Sequence, residues 1–407
     1  FNPVLFVSAG NWKNYAGRVD RVLQQAARPQ PATIARADML VTGLSGVEDR
    51  IRAIRDFVAL LIKPVDLGFG ELTLDRVTPA DRTLADGYGN TTDRAVLLSA
   101  LLQAAGLRPE FVIAAPISRV ADLQTPLRQY PAVEWLDTVL VRVKTAAGFV
   151  YLNDTSQYAA LGSTPSAGFP GLVPATGTID IIQAAAANLN DHIDRSYKIQ
   201  ISANGDAAIE KTTQYYGDAF TRFRKRFSEM SPEERRRHHQ AEIAAVSQAA
   251  RADGAYTTDY QTYPGIETFS VRVDDYAVRQ GSYLYLKLPG IVPGIADAGR
   301  DRRESPLYRE DYKRQTIYVE VLLPEGTDSI EALPPENIVF PVQRSGSIGL
   351  QTKTMTYFGG YDRRVRIRQD IRLDPAVVLP AEYPQLLEAQ RILSHPRTRM
   401  VVLKMEP

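Results

Sequence analysis

The chemistry open to this chain is bounded first by what it lacks. It contains no cysteine, so thiol nucleophiles, thiolate metal sites and disulfides are excluded by inventory. Its histidines are His192, His238, His239 and His395. A nucleophile, imidazole and carboxylate triad contained before His192 is therefore ruled out. What remains is a pair of hydroxyls in Gly89 to Ala95, G-N-T-T-D-R-A, which reads as a tight turn feeding a helix. Asn90 and Thr91 are natural N-cap residues, and Asp93 places a negative charge in the first turn, where the helix dipole favours it. Many enzymes mount a nucleophile at such a helix start. A threonine hydroxyl without a base is a poor nucleophile, however, and an internal residue cannot use the chain's own amine for activation. From the residues alone, Asn90 and Thr91 are expected to cap the helix.

Two other constellations point to less. Glu71, Asp75, Asp81 and Asp86 crowd the segment before the turn, but no spacing among them singles out the acid and base of a glycosidase, and solvated loop carboxylates are expected. His238 and His239 follow Arg235 to Arg237 in a polar helical stretch, where sequence neighbours do not face one ligand. Neither a metal nor a cofactor is expected. The basic run from Arg222, R-F-R-K-R-F, is interleaved with Glu229, Glu233 and Glu234 and reads as a solvated, salt-bridged helix.

These residues must be held by elements that the periodicity reveals. Ala95, Leu98, Leu102 and Ala105 recur at helical spacing, and Gly106 falls where a left-handed stop belongs. A helix is expected over Trp12 to Ala27 with Tyr15, Val19 and Val22 on one side, ended by Pro29 and Pro31. Another is marked by a Ser45 and Glu48 capping box and by Val47, Ile51, Ile54, Val58 and Leu61, closed by Pro64. Val65 to Tyr88 reads as a long loop. Phe1 to Ser8, Phe111 to Ala115, Val139 to Val143 and Phe149 to Leu152 read as strands, the last two joined by a hairpin turn at Thr145 to Gly148. The Gly, Pro, Ser and Thr of Gly162 to Gly177 suggest a domain boundary.

Beyond it the chain is mostly strands. Asn204-Gly205-Asp206 is a hairpin signal. Phe269, Val271 and Val273 alternate with polar residues, as do Ile317 to Leu323 and Val365 to Leu373 apart from Gln369, which argues for antiparallel sheets with one buried face. A helical interruption is expected from Phe220 to about Ala250, with Ser231-Pro232-Glu233-Glu234 as an internal helix start. The 407 residues call for two or three domains. With 48 basic against 47 acidic residues, no global field favours nucleic acid or an anionic membrane, and no apolar run is long enough to span a bilayer as a helix. Phe1 opens the chain with neither an initiator Met nor a signal-peptide pattern, so removal of an upstream segment is expected.

Tyr88 to Ile113 resembles the core motif of bacterial transglutaminase-like proteins, G-D-C-K-D-K-A followed by L-L-x-A-L-L-R-A-x-G-I, which stands here as G-N-T-T-D-R-A and L-L-S-A-L-L-Q-A-A-G-L. The family's histidine lies in a pattern like F-N-H-V-I-V-R-V, matched by L-D-T-V-L-V-R-V from Leu136, and its aspartate in W-L-D-P-T, matched by Tyr151-Leu152-Asn153-Asp154-Thr155. The resemblance implies that Thr91, Thr138 and Asn153 occupy the Cys, His and Asp positions; a one-residue shift would make Asp154 the match instead. Pro3 to Tyr15 and the L-P-A-E-Y-P at Leu379 resemble the flanks of an envelope-type family of this kind. They imply an α+β fold. Residues 1–177 would form a papain/transglutaminase-like core of helices packed on an antiparallel sheet, and 178–407 a mostly antiparallel β-sandwich with a helical insertion at 220–250.

The function so implied is that of a non-catalytic module that binds an extended peptide or protein segment, or acts as a scaffold, within a larger extracytoplasmic protein. Cleft candidates are Asn90, Thr91, Thr92, Trp135, Asp137 and Thr138. The competing expectation is an enzyme of altered acyl-transfer or peptide-hydrolysis chemistry that recruits Thr91, Asp93 or Asp154, with His192 as the nearest imidazole in sequence. A spacer without a ligand is the third. Nothing in the sequence sets an oligomeric state.

Overall fold

A computed structural model describes residues 10–290, 301–310, 313–335, 337–341, 347–359 and 362–406. The strand expected at Phe1 to Ser8 lies outside the described residues. The chain divides into two compact units, Phe1–Asn190 and Asp191–Pro407. Both are α+β, the first built on an antiparallel sheet and the second on mostly antiparallel ones.

The first unit runs α1 (Trp12–Ala26), α2 (Pro31–Val41), α3 (Val47–Leu61), β1 (Lys63–Pro64), α4 (Ala80–Asp86), β2 (Tyr88–Gly89), α5 (Thr91–Ala104), β3 (Pro109–Ala114), α6 (Ala121–Gln129), β4 (Thr138–Lys144), β5 (Phe149–Leu152), β6 (Pro170–Val173) and β7 (Thr178–Ile181). Strands β3 to β7 form one antiparallel sheet in the order β5-β4-β3-β6-β7. Helix α5 is the centre of this unit. Leu97, Leu98, Leu101 and Leu102 are all essentially inaccessible, so α5 is apolar all round rather than along the single stripe expected, as befits a helix covered on every side. Its buried side chains meet Ile51, Ile54 and Val58 of α3 and the inward residues Phe111, Ile113, Val139 and Val141 of the sheet in one core. The alternate positions Val112, Ala114 and Leu140 point to the opposite face, where Tyr151, Val173 and Ile182 cover them.

Several local expectations are corrected here. Pro31 does not merely stop α1; it occupies the first turn of α2, where its missing N–H costs nothing. Helix α3 is capped by Gly46 without a side-chain bond, so Ser45 and Glu48 form no capping box. The side chain of Asp49 comes so close to Gly46 that a β-carbon there would stand 2.8 Å from its Oδ2. On α1 the buried stripe is Trp12, Ala16, Val19 and Leu23, one position round from Tyr15 and Val22. The segment from Val65 to Tyr88 is not a structureless loop, since it holds α4 and ends in a left-handed Gly87. Strands β6 and β7 extend the first sheet past Gly177, so the division falls at 190/191 and not at 177/178.

The second unit contains β8 (His192–Ile201), β9 (Ala207–Tyr216), α7 (Gly217–Glu229), α8 (Pro232–Val246), β10 (Arg251–Ala252), β11 (Thr257–Asp259), β12 (Gly265–Val273), β13 (Val278–Gln280), β14 (Tyr283–Lys287), β15 (Leu307–Arg309), β16 (Lys313–Leu322), β17 (Thr327–Ala332), β18 (Asn337–Pro341), β19 (Ser347–Gly359), β20 (Asp362–Leu373), β21 (Ala376–Val378), α9 (Tyr383–Ser394) and β22 (Met400–Met405). The large sheet runs β10-β12-β9-β8-β16-β20-β19-β18, with β11 also on β12. Its pairings are antiparallel except β8 with β16. A second sheet, β13-β14-β22-β17, contributes Leu284, Leu286, Val401 and Leu403 to the core formed by Ile199, Val271, Ile317 and Ile367 of the first. This is a sandwich of two sheets whose strands alternate buried and exposed residues, as the sequence pattern requires. Helices α7 and α8 form the expected insertion, and α8 starts with Ser231 and Glu234 in a reciprocal capping box.

Candidate functional site

The site begins at the first turn of α5. Asn90 accepts from the Asp93 N–H at 3.0 Å, and Asp93 returns the bond to the Asn90 N–H at 3.3 Å. The second Asp93 oxygen accepts from the Thr78 N–H at 3.1 Å, tying the preceding segment to the same turn. Asp93 is 7% exposed. It is thus a structural clamp whose charge is matched to the helix dipole.

The strands that follow bring the other two positions of the transglutaminase-like pattern to this turn. Asn153 directly follows β5 and has φ of 87°, a left-handed conformation in which asparagine is among the residues best tolerated. That backbone turns its side chain towards α5. Its Nδ2 donates to the carbonyl of Thr91 at 2.7 Å and to the carbonyl of Val139, next to Thr138 on β4, also at 2.7 Å. One amide therefore joins the helix start to the strand that carries the histidine position. Two carbonyl acceptors require the amide nitrogen there, which settles the orientation of the side chain. Asp154, the alternative match, faces elsewhere: it accepts from the Thr164 hydroxyl. Burial pushes its carboxyl above the usual range, against the lowering effect of hydrogen bonds from Thr164 and Ser166.

The remaining candidates fall into two groups. Asn90 and Thr92 are buried, the first as a cap and the second at 0% exposure. Thr91, Trp135 and Thr138 are partly exposed and Asp137 is exposed. Thr138 donates its hydroxyl to Asp137 at 2.8 Å, and the Asp137 carbonyl accepts from Phe69 N–H at 2.7 Å. The hydroxyl of Thr91, by contrast, is buried with no hydrogen-bond partner among the described residues, and so is Oδ1 of Asn153. Among the described residues no group is hydrogen-bonded to the Thr91 hydroxyl to take its proton.

Of the four carboxylates before the turn, Asp75 is exposed and the other three make bonds within the first unit. Asp81 accepts from the Ala32 and Thr33 N–H groups at 3.2 and 3.0 Å, satisfying the start of α2. Glu71 accepts from the Gly68 N–H, and Asp86 pairs with Arg82. His192 belongs to the second unit, stacked on Tyr216 with centroids 4.0 Å apart. Among the described residues no group of three or more potential ligands could hold a metal, and no helix is long and apolar enough to cross a membrane.

A polar centre that sequence reading missed lies in the second unit. His238 is not a solvated neighbour of His239; it is 8% exposed, and its Nε2 lies 2.7 Å from Oε1 of Glu267, which is 1% exposed. Tyr215 donates to the other carboxylate oxygen at 2.9 Å. Burial alone would raise the Glu267 carboxyl, but the His238 bond and the tyrosine hydroxyls around it outweigh burial and hold it below the usual range. The phenylalanines of the basic run, Phe223 and Phe227, are buried against this centre while its arginines stay outside. Their spacing of four was the signal for an inward face.

No protein-family profile matches the chain, and no curated protein matches it. In fold it is similar to a crystal structure from Parabacteroides distasonis ATCC 8503 of a protein named a "putative protease", with a TM-score of 0.52 and 15% identity. The match covers 97% of this chain but 59% of that one, so the chain spans about three-fifths of its neighbour's length.

Proposed function

We propose that the first unit is a non-catalytic transglutaminase-like module that binds an extended peptide or protein segment within a larger bacterial envelope protein, outside the cytoplasm. The observation that carries this reading is the Asn153 amide, which links the Thr91 and Val139 carbonyls where the family pattern places a carboxylate beside a histidine. An amide oxygen can orient an imidazole, but Thr138 supplies no imidazole for it to orient. Thr91 completes the substitution with a hydroxyl that lacks a hydrogen-bonded base. What persists is the scaffold: a capped helix start, two flanking strands and the accessible side chains of Trp135, Asp137 and Thr138. The envelope setting rests on the resemblance of the central motif and its flanks.

Selection of a phage-displayed random peptide library on the full chain, with counter-selection on Thr91→Phe, tests the binding role. Enriched peptides that bind the parent and lose affinity for the variant support it. If nothing is enriched, or the enriched peptides ignore position 91, the role is refuted.

A further inference from the structure

Helix α8 is fastened to the large sheet of the second unit mainly by polar and ring contacts. Of its residues from Pro232 to Val246, His238 alone is buried, and Ile243 and Val246 are the side chains it adds, partly buried, to the apolar core. His238 lies 2.7 Å from Glu267 of β12. Glu242 accepts from Lys211 of β9 at 2.6 Å. His239 stacks flat on Tyr256 with centroids 3.8 Å apart, and Tyr256 stacks in turn on Phe269 of β12 at 4.7 Å. The His239 ring thus closes a three-ring pile that joins the helix to the sheet. An element that buries so little apolar surface opens at lower free-energy cost than the sandwich beneath it.

His239 is the member of this set that a proton would displace. Its Nε2 is inaccessible and has no hydrogen-bond partner among the described residues. The charged ring carries an N–H on both nitrogens, so one of them would be buried unsatisfied. The groups that face it are Tyr256 in the stack, His238 at a centroid distance of 6.0 Å, Glu267 from β12 and Arg235 from its own helix. Glu267 is already engaged by His238 and Tyr215, and Glu242 and Lys211 by each other. Burial, His238 and Arg235 oppose the proton and outweigh the attraction of Glu267, holding the His239 pKa below the ordinary histidine value. A group depressed in this way stabilises the docked helix fully above its unfolded value and loses that contribution as pH falls through the folded one. The contact therefore weakens from about pH 6.5 downward.

We propose that α8 is an acid-released clasp: a proton on His239 breaks its stack on Tyr256 and lets the helix lift from the sheet while the sandwich stays folded, uncovering the Tyr256 ring. The device belongs to the second unit and stands apart from the reading of Thr91.

The test is amide hydrogen exchange of the full chain at about pH 7.5 and about pH 5, corrected for the intrinsic effect of pH, in the parent and in His239→Phe, which keeps a ring on Tyr256 but has no proton to gain. Protection of α8 should fall about tenfold in the parent, as a depression of one pH unit gives, while β8 and β16 keep theirs. In His239→Phe, α8 should be equally protected at both values. In His239→Gln, which removes the stack as well, it should be less protected than in the parent at the higher pH and again indifferent to pH. Unchanged protection of α8 in the parent, an equal fall in β8 and β16, or a fall in α8 that survives in either variant would each overturn it.

Discussion

Asn153→Asp restores the residue type that the family pattern places at this position, yet the structure predicts that it damages the fold. The native amide makes two hydrogen bonds of 2.7 Å, to Thr91 and Val139, each worth about 1 kcal/mol net. A carboxylate makes neither. It would also set its charge against two carbonyl oxygens in a partly buried site, leaving both acceptors unpaired. Together these effects amount to roughly 3 to 5 kcal/mol at neutral pH, the range seen when a buried polar partner is replaced by an uncompensated charge. Asn153→Ala loses the same two bonds without the charge and should cost about 2 kcal/mol. The assay is urea unfolding followed by tryptophan fluorescence, which reports on the first unit alone because Trp12 and Trp135 are the chain's two tryptophans. Because the aspartate is disfavoured as a charge, its pKa is raised in the folded state. The Asp variant's deficit should therefore shrink as pH falls and the carboxyl, once neutral, can donate one hydrogen bond. An Asn153→Asp chain as stable as the parent at pH 7 would refute the clamp.

Further expectations follow from the same packing and charge arguments. Leu101→Ala, at 0% exposure in α5, should cost about 2 to 5 kcal/mol in the fluorescence-monitored transition, as large-to-small changes in a closed core do. Asp154→Asn should raise the melting temperature at neutral pH: a carboxyl whose folded pKa is raised stabilises fully only below its unfolded value and loses that contribution as pH rises through the folded one. The gain over the parent should vanish on acidification. Glu267→Ala leaves His238 and Tyr215 without their shared acceptor and should destabilise the second unit by about 3 kcal/mol, read from amide exchange in α8 and β12. In the parent, Glu267 has a lowered pKa, so its contribution is present above the ordinary glutamate value and is lost as pH falls through the folded one.

What could be read from the sequence was what neighbouring residues decide among themselves. The Asn90 cap, the Gly106 stop, the helix start at Ser231 and the alternating strands are local patterns present in the fold, whereas the Ser45 and Glu48 box, equally local, is not. Helix α2 escaped notice because its first turn is satisfied by Asp81, 48 to 49 positions away, while Pro31 in isolation signals a stop as readily as a start. His238 escaped for the same reason: its partner Glu267 is 29 positions distant on another element, and the charges around it suggested solvent. At the candidate site, motif matching left Asn153 and Asp154 as alternatives. The left-handed turn at Asn153 separates them by aiming one at α5 and the other at Thr164.

The central claim is that the hydroxyl at the start of α5 performs no acyl chemistry. The most direct measurement incubates the full chain and its Thr91→Ala variant with a fluorogenic peptide library and an amine acceptor, and follows both cleavage and amine incorporation. The account predicts no turnover that depends on position 91. Hydrolysis or amine incorporation by the parent that disappears in Thr91→Ala would contradict it.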